Sequence, residues 1–299
     1  MDSKPLNPFS LILKASRPWL QLSAALFYVL GSGVAIHQGQ AIAWPNFFFG
    51  LILIILLLLG GNYLKRFYDP PSSEPEKTPS SLSQQQAEHQ VYLLAATALL
   101  TIGAGLTIVL FLQGVLTWIA LIVLGAAIAL VLAYGIPPFR LVYSGYGELV
   151  ETALMTLLIP AFAQLLQLPQ FHPLLLQMIF PLALIYLADL LALSLETYAA
   201  QLKFRQRTLI IRTGWEWGMR LHNYLLVSAF LLIALLALLG LPWSLAWRAF
   251  LAFPIAIYQI WQIWSISQGA PPNWKILRLT AVATVVMILY QWIIFLWTL

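Results

Sequence analysis

An all-α integral membrane protein with nine transmembrane helices is the fold class predicted by this sequence, and three observations predict it. Of its 299 residues, 61% are hydrophobic and 8% charged, and the mean hydropathy is +0.87, well outside the range of soluble domains. The apolar residues fall in blocks of about 20, the length that crosses a hydrocarbon core about 30 Å thick. Threading those blocks back and forth puts fourteen of the 15 Lys and Arg on one face and leaves Arg248 on the other. Cytoplasmic loops carry the excess of Lys and Arg, so the expected orientation is N-terminus cytoplasmic and C-terminus outside, in a bacterial inner membrane. The net charge of +5 is then a topology signal, and no nucleic acid is expected as a partner. The absence of cysteine excludes disulfides, thiolate nucleophiles and thiolate metal sites.

Residues 1–19 carry Asp2, Lys4, Lys14 and Arg17 around a short apolar stretch at 9–13, without a small-residue cleavage site. They read as a retained interfacial segment ahead of one transmembrane domain over 20–299. The predicted spans are 20–36, 45–64, 91–112, 115–134, 149–168, 174–195, 224–241, 244–264 and 279–299. Charge delimits them: Lys65, Arg66 and Lys77 follow the second, Arg140 the fourth, and Lys203, Arg205, Arg207, Arg212 and Arg220 the sixth, while Lys275 and Arg278 precede the ninth. The fifth opens with Glu148 and Glu151, acids that complement a helix N-terminus. Gln113-Gly114 and residues 169–173 make short connections without cations on the other face. Two connections on the basic face are long, 65–90 and 197–223; the first is rich in Pro, Ser and Gln, the second long enough for a short amphipathic helix. A lid over a cavity would be made of such pieces. Trp243, Trp247, Trp261, Trp264, Trp274 and Trp292 read as interfacial anchors, and Gly31, Gly33, Gly103 and Gly105 as close-packing points.

Polar residues at membrane depth are expensive and mark sites. Asn62, Lys65, Arg66 and Asp69 cluster at the mouth of the second span, two cations against one carboxylate, a balance that disfavours a divalent metal. Asp189 is the deepest acid; it shares a helical face with Glu196, seven residues on. It reads either as functional or as a structural carboxyl bonded to a neighbouring helix or to Lys65 or Arg66. His37, His89, His172 and His222 lie on different connections, so no metal site is expected from them.

Four stretches in order resemble the UbiA-type superfamily of intramembrane aromatic prenyltransferases, nearest the branch that acts on dihydroxynaphthoate in menaquinone synthesis. They are Ala15-Ser16-Arg17-Pro18-Trp19-Leu20, Gly61-Asn62-Tyr63, Tyr134-Gly135-Ile136-Pro137-Pro138-Phe139-Arg140-Leu141 running on to Gly145-Tyr146-Gly147-Glu148-Leu149, and Arg207-Thr208-Leu209-Ile210-Ile211-Arg212-Thr213-Gly214. The resemblance implies a ring of nine helices around a cavity open to the cytoplasm. It also implies a prenyl diphosphate bridged by Mg²⁺ on two aspartate-rich motifs, because the metal neutralises the leaving group.

Those motifs are degenerate here. The first, N-D-x-x-D-x-x-x-D, laid on Asn62, puts its aspartate positions on Tyr63, Arg66 and Pro70, with Asp69 one place out of register. The second, D-x-x-x-D, falls on Thr197 and Gln201, with Glu196 one place early. The sequence therefore reads as a non-catalytic homologue, without a cofactor, that binds an isoprenoid quinone, a tailed pigment or a membrane lipid, or serves as a subunit of a membrane complex. Its candidate ligand-binding residues are Asn62, Lys65, Arg66, Arg140, Asp189, Lys203, Arg207 and Arg212. The alternative is a divergent, Mg²⁺-dependent prenyltransferase acting on prenyl diphosphate through Asp69, Asp189 and Glu196. A transporter is a third reading, with Asp189 in its favour.

Overall fold

A computed structural model describes residues 8–69, 82–203 and 207–298. Asp2, Lys4, Pro70, Lys77 and Arg205, with residues 70–81 of the predicted loop, lie outside them.

The described chain is helical throughout. A short α1 (Pro8–Ala15) precedes α2 (Pro18–His37) and α3 (Trp44–Tyr68). After them come α4 (Leu82–Leu112) and α5 (Trp118–Gly135). The next span is composite: α6 (Gly147–Thr152), a π-helical stretch (Ala153–Leu158) and α7 (Ile159–Leu165). Then follow α8 (Pro173–Lys203), a single short α9 (Leu209–Thr213) and α10 (Trp215–Leu238). The chain closes with α11 (Trp243–Phe250), α12 (Phe253–Ser267) and α13 (Trp274–Trp297). Eight segments are each long and apolar enough to cross a membrane, and α11 with α12, bent by 40°, count as a ninth if the pair is one span. This is an integral membrane protein.

Neighbour relations close the helices into a ring. α2 packs on α3, α7 and α13; α3 on α4 and α5; α5 on the composite span; that span on α8; α8 on α10 and α13; and α12 bridges α10 to α13. Lipid is as apolar as leucine, so helices associate through close packing and polar contacts. Gly31 illustrates the first: a Cβ there would lie 2.1 Å from the Pro160 carbonyl oxygen, so only glycine lets α2 meet α7. Gly33 does the same against Trp297, whereas the space beside Gly105 is open and that beside Gly103 ordinary, so the predicted close-packing role holds for the first pair. Tyr28 illustrates the second, its hydroxyl donating to the Phe47 carbonyl at 2.9 Å inside the core.

The structure departs from the expected spans at several places: α10 begins at Trp215, nine residues before the predicted start at 224, so the predicted connection 197–223 is largely helical, and α13 begins at Trp274, five residues before 279. α8 continues eight residues past the predicted end at 195, to Lys203, because Glu196, Ala199, Ala200 and Gln201 are good helix formers although they do not make a strongly apolar run. Its 31 residues reach about 46 Å, well beyond the hydrocarbon. The predicted loop 65–90 shortens for the same reason, with α4 beginning at Leu82. The eighth span breaks between Phe250 and Phe253, where Pro254 removes an amide donor and disfavours helix just before it. Finally, Trp292 is an interior residue, fully buried, with Nε1 donating to the Leu245 carbonyl at 2.9 Å. It fastens α13 to the broken span instead of anchoring at an interface.

Candidate ligand cavity

A cavity of about 290 Å³ opens at the end of the ring where α2 begins, α5 ends, α6 begins and α8 ends. It shares Arg17, Tyr134 and Glu151 with a smaller pocket of about 30 Å³ that is also lined by Asn62. Four local features of the sequence build this wall.

The first is Arg17. It sits between α1 and α2 with φ 49°, a left-handed conformation that costs a non-glycine residue about 1–2 kcal/mol. Pro18 starts α2 directly after it. Its Nη2 donates to Glu151 Oε2 at 3.3 Å, while 41% of its side-chain surface stays accessible. The Glu151 carboxylate raises the guanidinium pKa above its ordinary value, so Arg17 is a fixed cation.

The composite span supplies the second feature. Glu148 and Glu151, one turn apart on α6, are both buried. Glu151 also accepts a long bond from the Tyr186 hydroxyl, at 3.4 Å. Glu148 takes the Leu209 amide, at 3.1 Å to Oε2, and the Ser194 hydroxyl at 3.4 Å. It thereby caps α9 from another helix and ties the 207–214 strap over the cavity. Below them the π-helical stretch follows directly, an irregularity that concentrates at functional sites.

The third is the extension of α8. Thr197 and Gln201, one turn apart, line the cavity together. Gln201 Nε2 donates to Thr197 Oγ1 at 2.7 Å, and Thr208 Oγ1 donates to Gln201 Oε1 at 2.8 Å. An uncharged hydrogen-bonded chain thus occupies the two positions where the resemblance requires carboxylates.

The fourth lies at the end of α3. Asn62 is 7% exposed, and its Nδ2 has no hydrogen-bond partner among the described residues. The neighbouring charges turn elsewhere. Asp69 accepts a short hydrogen bond from the Tyr143 hydroxyl and faces Lys65 Nζ at 4.0 Å and Arg66 Nη1 at 3.9 Å. Tyr63 stacks on Tyr92 and donates to the Ile12 carbonyl at 3.2 Å.

Of the eight ligand residues expected from sequence, Asn62 therefore lines the described cavities and the others do not. Arg140, also left-handed at φ 41°, donates to the Tyr68 carbonyl at 3.1 Å. Arg212 is exposed with its guanidinium over the Tyr146 ring at 4.3 Å, and Lys203 and Arg207 are exposed. Asp189, 7% exposed, lies behind the wall within electrostatic reach of Glu151, its Oδ1 without a hydrogen-bond partner among the described residues. The expected pairing with Lys65 or Arg66 is not made; those cations face Asp69. Glu196 is bonded to Arg278 of α13. The residues sequence reasoning passed over are Arg17, Glu151 and Tyr134. The available signal was an arginine immediately before proline, together with acids at i and i+3.

No family model and no curated protein matches this chain by sequence. Solved structures do match by shape. One, of digeranylgeranylglyceryl phosphate synthase, superposes with TM-score 0.66 at 14% identity, over 98% of this chain and 100% of that one. A UbiA homologue from Archaeoglobus fulgidus, bound to GPP and Mg²⁺, superposes with TM-score 0.65 at 14% identity, over 94% and 98%. The fold is that of the UbiA-type intramembrane prenyltransferases.

The residues present do not fit Mg²⁺. It needs hard oxygen ligands, chiefly carboxylates, and four of the five motif positions hold Tyr63, Arg66, Thr197 and Gln201, while the fifth, Pro70, is no carboxylate either. Both near-register acids are taken, Asp69 by cations and Glu196 by Arg278. Among the described residues no three His, Asp or Glu side chains are grouped as a metal site.

Proposed function

We propose that this chain is a non-catalytic member of the UbiA-type superfamily, in a bacterial inner membrane with its N-terminus cytoplasmic, whose cavity binds an isoprenoid-tailed quinone, pigment or lipid without transferring a prenyl group. One observation carries the reading: where diphosphate chemistry needs carboxylates, Thr197, Gln201 and Thr208 form a closed, uncharged hydrogen-bonded chain. The cavity is nevertheless retained, with apolar walls at Leu190 and Leu193 beside polar Arg17, Glu148 and Glu151. Apolar walls with a few convergent polar groups suit a small molecule. What the site can do is hold and hydrogen-bond a headgroup, since it lacks the ligand set that would stabilise a departing diphosphate.

The test is direct. Purified full chain incubated with a labelled prenyl diphosphate, an aromatic acceptor and Mg²⁺ transfers no label, and mass spectrometry of protein purified in mild detergent finds a tailed molecule bound. Magnesium-dependent transfer abolished by alanine at Asp69 or Glu196 would instead establish the divergent enzyme.

A further inference from the structure

Resting on that reading, we propose that the Arg17–Glu151 pair makes the head end of the cavity selective for an uncharged, oxygen-bearing ring of the quinone or quinol type and closes it to diphosphate. The charge of the wall is the first ground. Among the described lining residues one guanidinium, Arg17, paired with Glu151, stands with a second carboxyl group, Glu148, and Asp189 lies behind Glu151. The described lining thus offers a diphosphate no cation unopposed by a carboxyl group, and the Glu151 carboxylate beside Arg17 repels it where water screens weakly. Lys65 stands near Arg17, but its ammonium is turned to Asp69 at 4.0 Å.

Hydrogen-bonding capacity is the second ground. A guanidinium carries five N–H donors in a planar fork. Glu151 takes Nη2, and the accessible part of the Arg17 side chain fronts the cavity. Nδ2 of buried Asn62 offers a further donor in the smaller pocket, whose roughly 30 Å³ has room for a carbonyl-sized group. Donors thus meet carbonyl oxygens, and the Glu148 and Glu151 carboxylates can accept from ring hydroxyls. Glu151 keeps Arg17 from acting as an anion clamp.

The experiment compares two probes with the same tail on the full chain in detergent: 2-methyl-3-geranyl-1,4-naphthoquinone and geranyl diphosphate, titrated calorimetrically with and without Mg²⁺. The wild type binds the quinone at least about tenfold tighter, and Mg²⁺ does not narrow the gap, since a hydrogen bond to a charged group contributes tenfold or more in affinity. Glu151→Gln releases Arg17 and shifts the preference toward diphosphate by about tenfold. Arg17→Gln weakens the quinone by a similar factor without improving diphosphate. Equal or tighter binding of diphosphate by the wild type overturns the proposal while leaving the non-catalytic reading standing. Binding of neither probe overturns the proposal, while the non-catalytic reading falls only if labelled prenyl transfer is found. The wild-type comparison needs no variant to fold, and a thermal midpoint within a few degrees of wild type qualifies each variant.

Discussion

Gln201 donates to Thr197 one helical turn earlier at 2.7 Å and accepts from Thr208 across the strap at 2.8 Å, so one amide links α8 to the cover of the cavity. Gln201→Ala removes both bonds. It is expected to weaken local closure by about 1–3 kcal/mol. Hydrogen–deuterium exchange of peptides spanning 207–214 should quicken while those from α2 and α13 stay protected, and unchanged exchange in the strap would show that Glu148 alone holds it.

Asp69 gathers Lys65, Arg66 and Tyr143 at the end of α3. In Asp69→Asn the two cations lose their carboxylate, and the thermal midpoint should fall, corresponding to about 1–3 kcal/mol for these partly buried groups. Tyr143→Phe should cost less, about 0.5–1.5 kcal/mol. If Asp69→Asn were neutral, the cluster would be a surface arrangement without structural weight.

His222 is fully buried between Asn223 and Gln259, each at 2.9 Å from one ring nitrogen, and joins α10 to α12. Replacement by phenylalanine keeps the bulk and strands the Gln259 amide. A loss of about 1–3 kcal/mol is expected, read as a lower midpoint in detergent, and His222→Phe/Gln259→Leu should recover part of it because both polar groups then leave together.

Trp292 ties α13 to α11 through the Leu245 carbonyl. Trp292→Phe retains much of the packing but removes the indole hydrogen bond, for an expected loss of about 0.5–1.5 kcal/mol; Trp292→Ala opens a cavity worth about 3–5 kcal/mol. A ranking of alanine as milder than phenylalanine would contradict the buried placement.

The chain has no cysteine, so single introduced thiols report sidedness. In oriented membranes Ser144→Cys, on the basic side, should react with an impermeant maleimide from the cytoplasmic face, and Gln170→Cys from the opposite face. Modification of both from one face would break the nine-span topology.

The spans were legible because lipid selects them one at a time: a run of apolar residues long enough to cross is a local property, and so is the accumulation of Lys and Arg beside it. That Tyr63, Arg66, Thr197 and Gln201 are not carboxylates was legible too, since residue types are read along the chain. Ends set by helix propensity were not. The hydropathy of α8 stops at Leu195 while its hydrogen bonds continue to Lys203, and that extension delivers Thr197 and Gln201 to the cavity. The partners of charge also needed the tertiary structure. Arg17 and Glu151 are 134 residues apart, as are Glu196 and Arg278 by 82, and charges attract along distances in space that sequence spacing does not encode. By itself the sequence determined a membrane-spanning helical chain with no carboxylate at Tyr63, Arg66, Pro70, Thr197 or Gln201. The fold decided that Arg17 faces Glu151 in the cavity while Lys65 and Arg66 turn to Asp69, because helix crossings such as Gly31 on Pro160 set which faces meet.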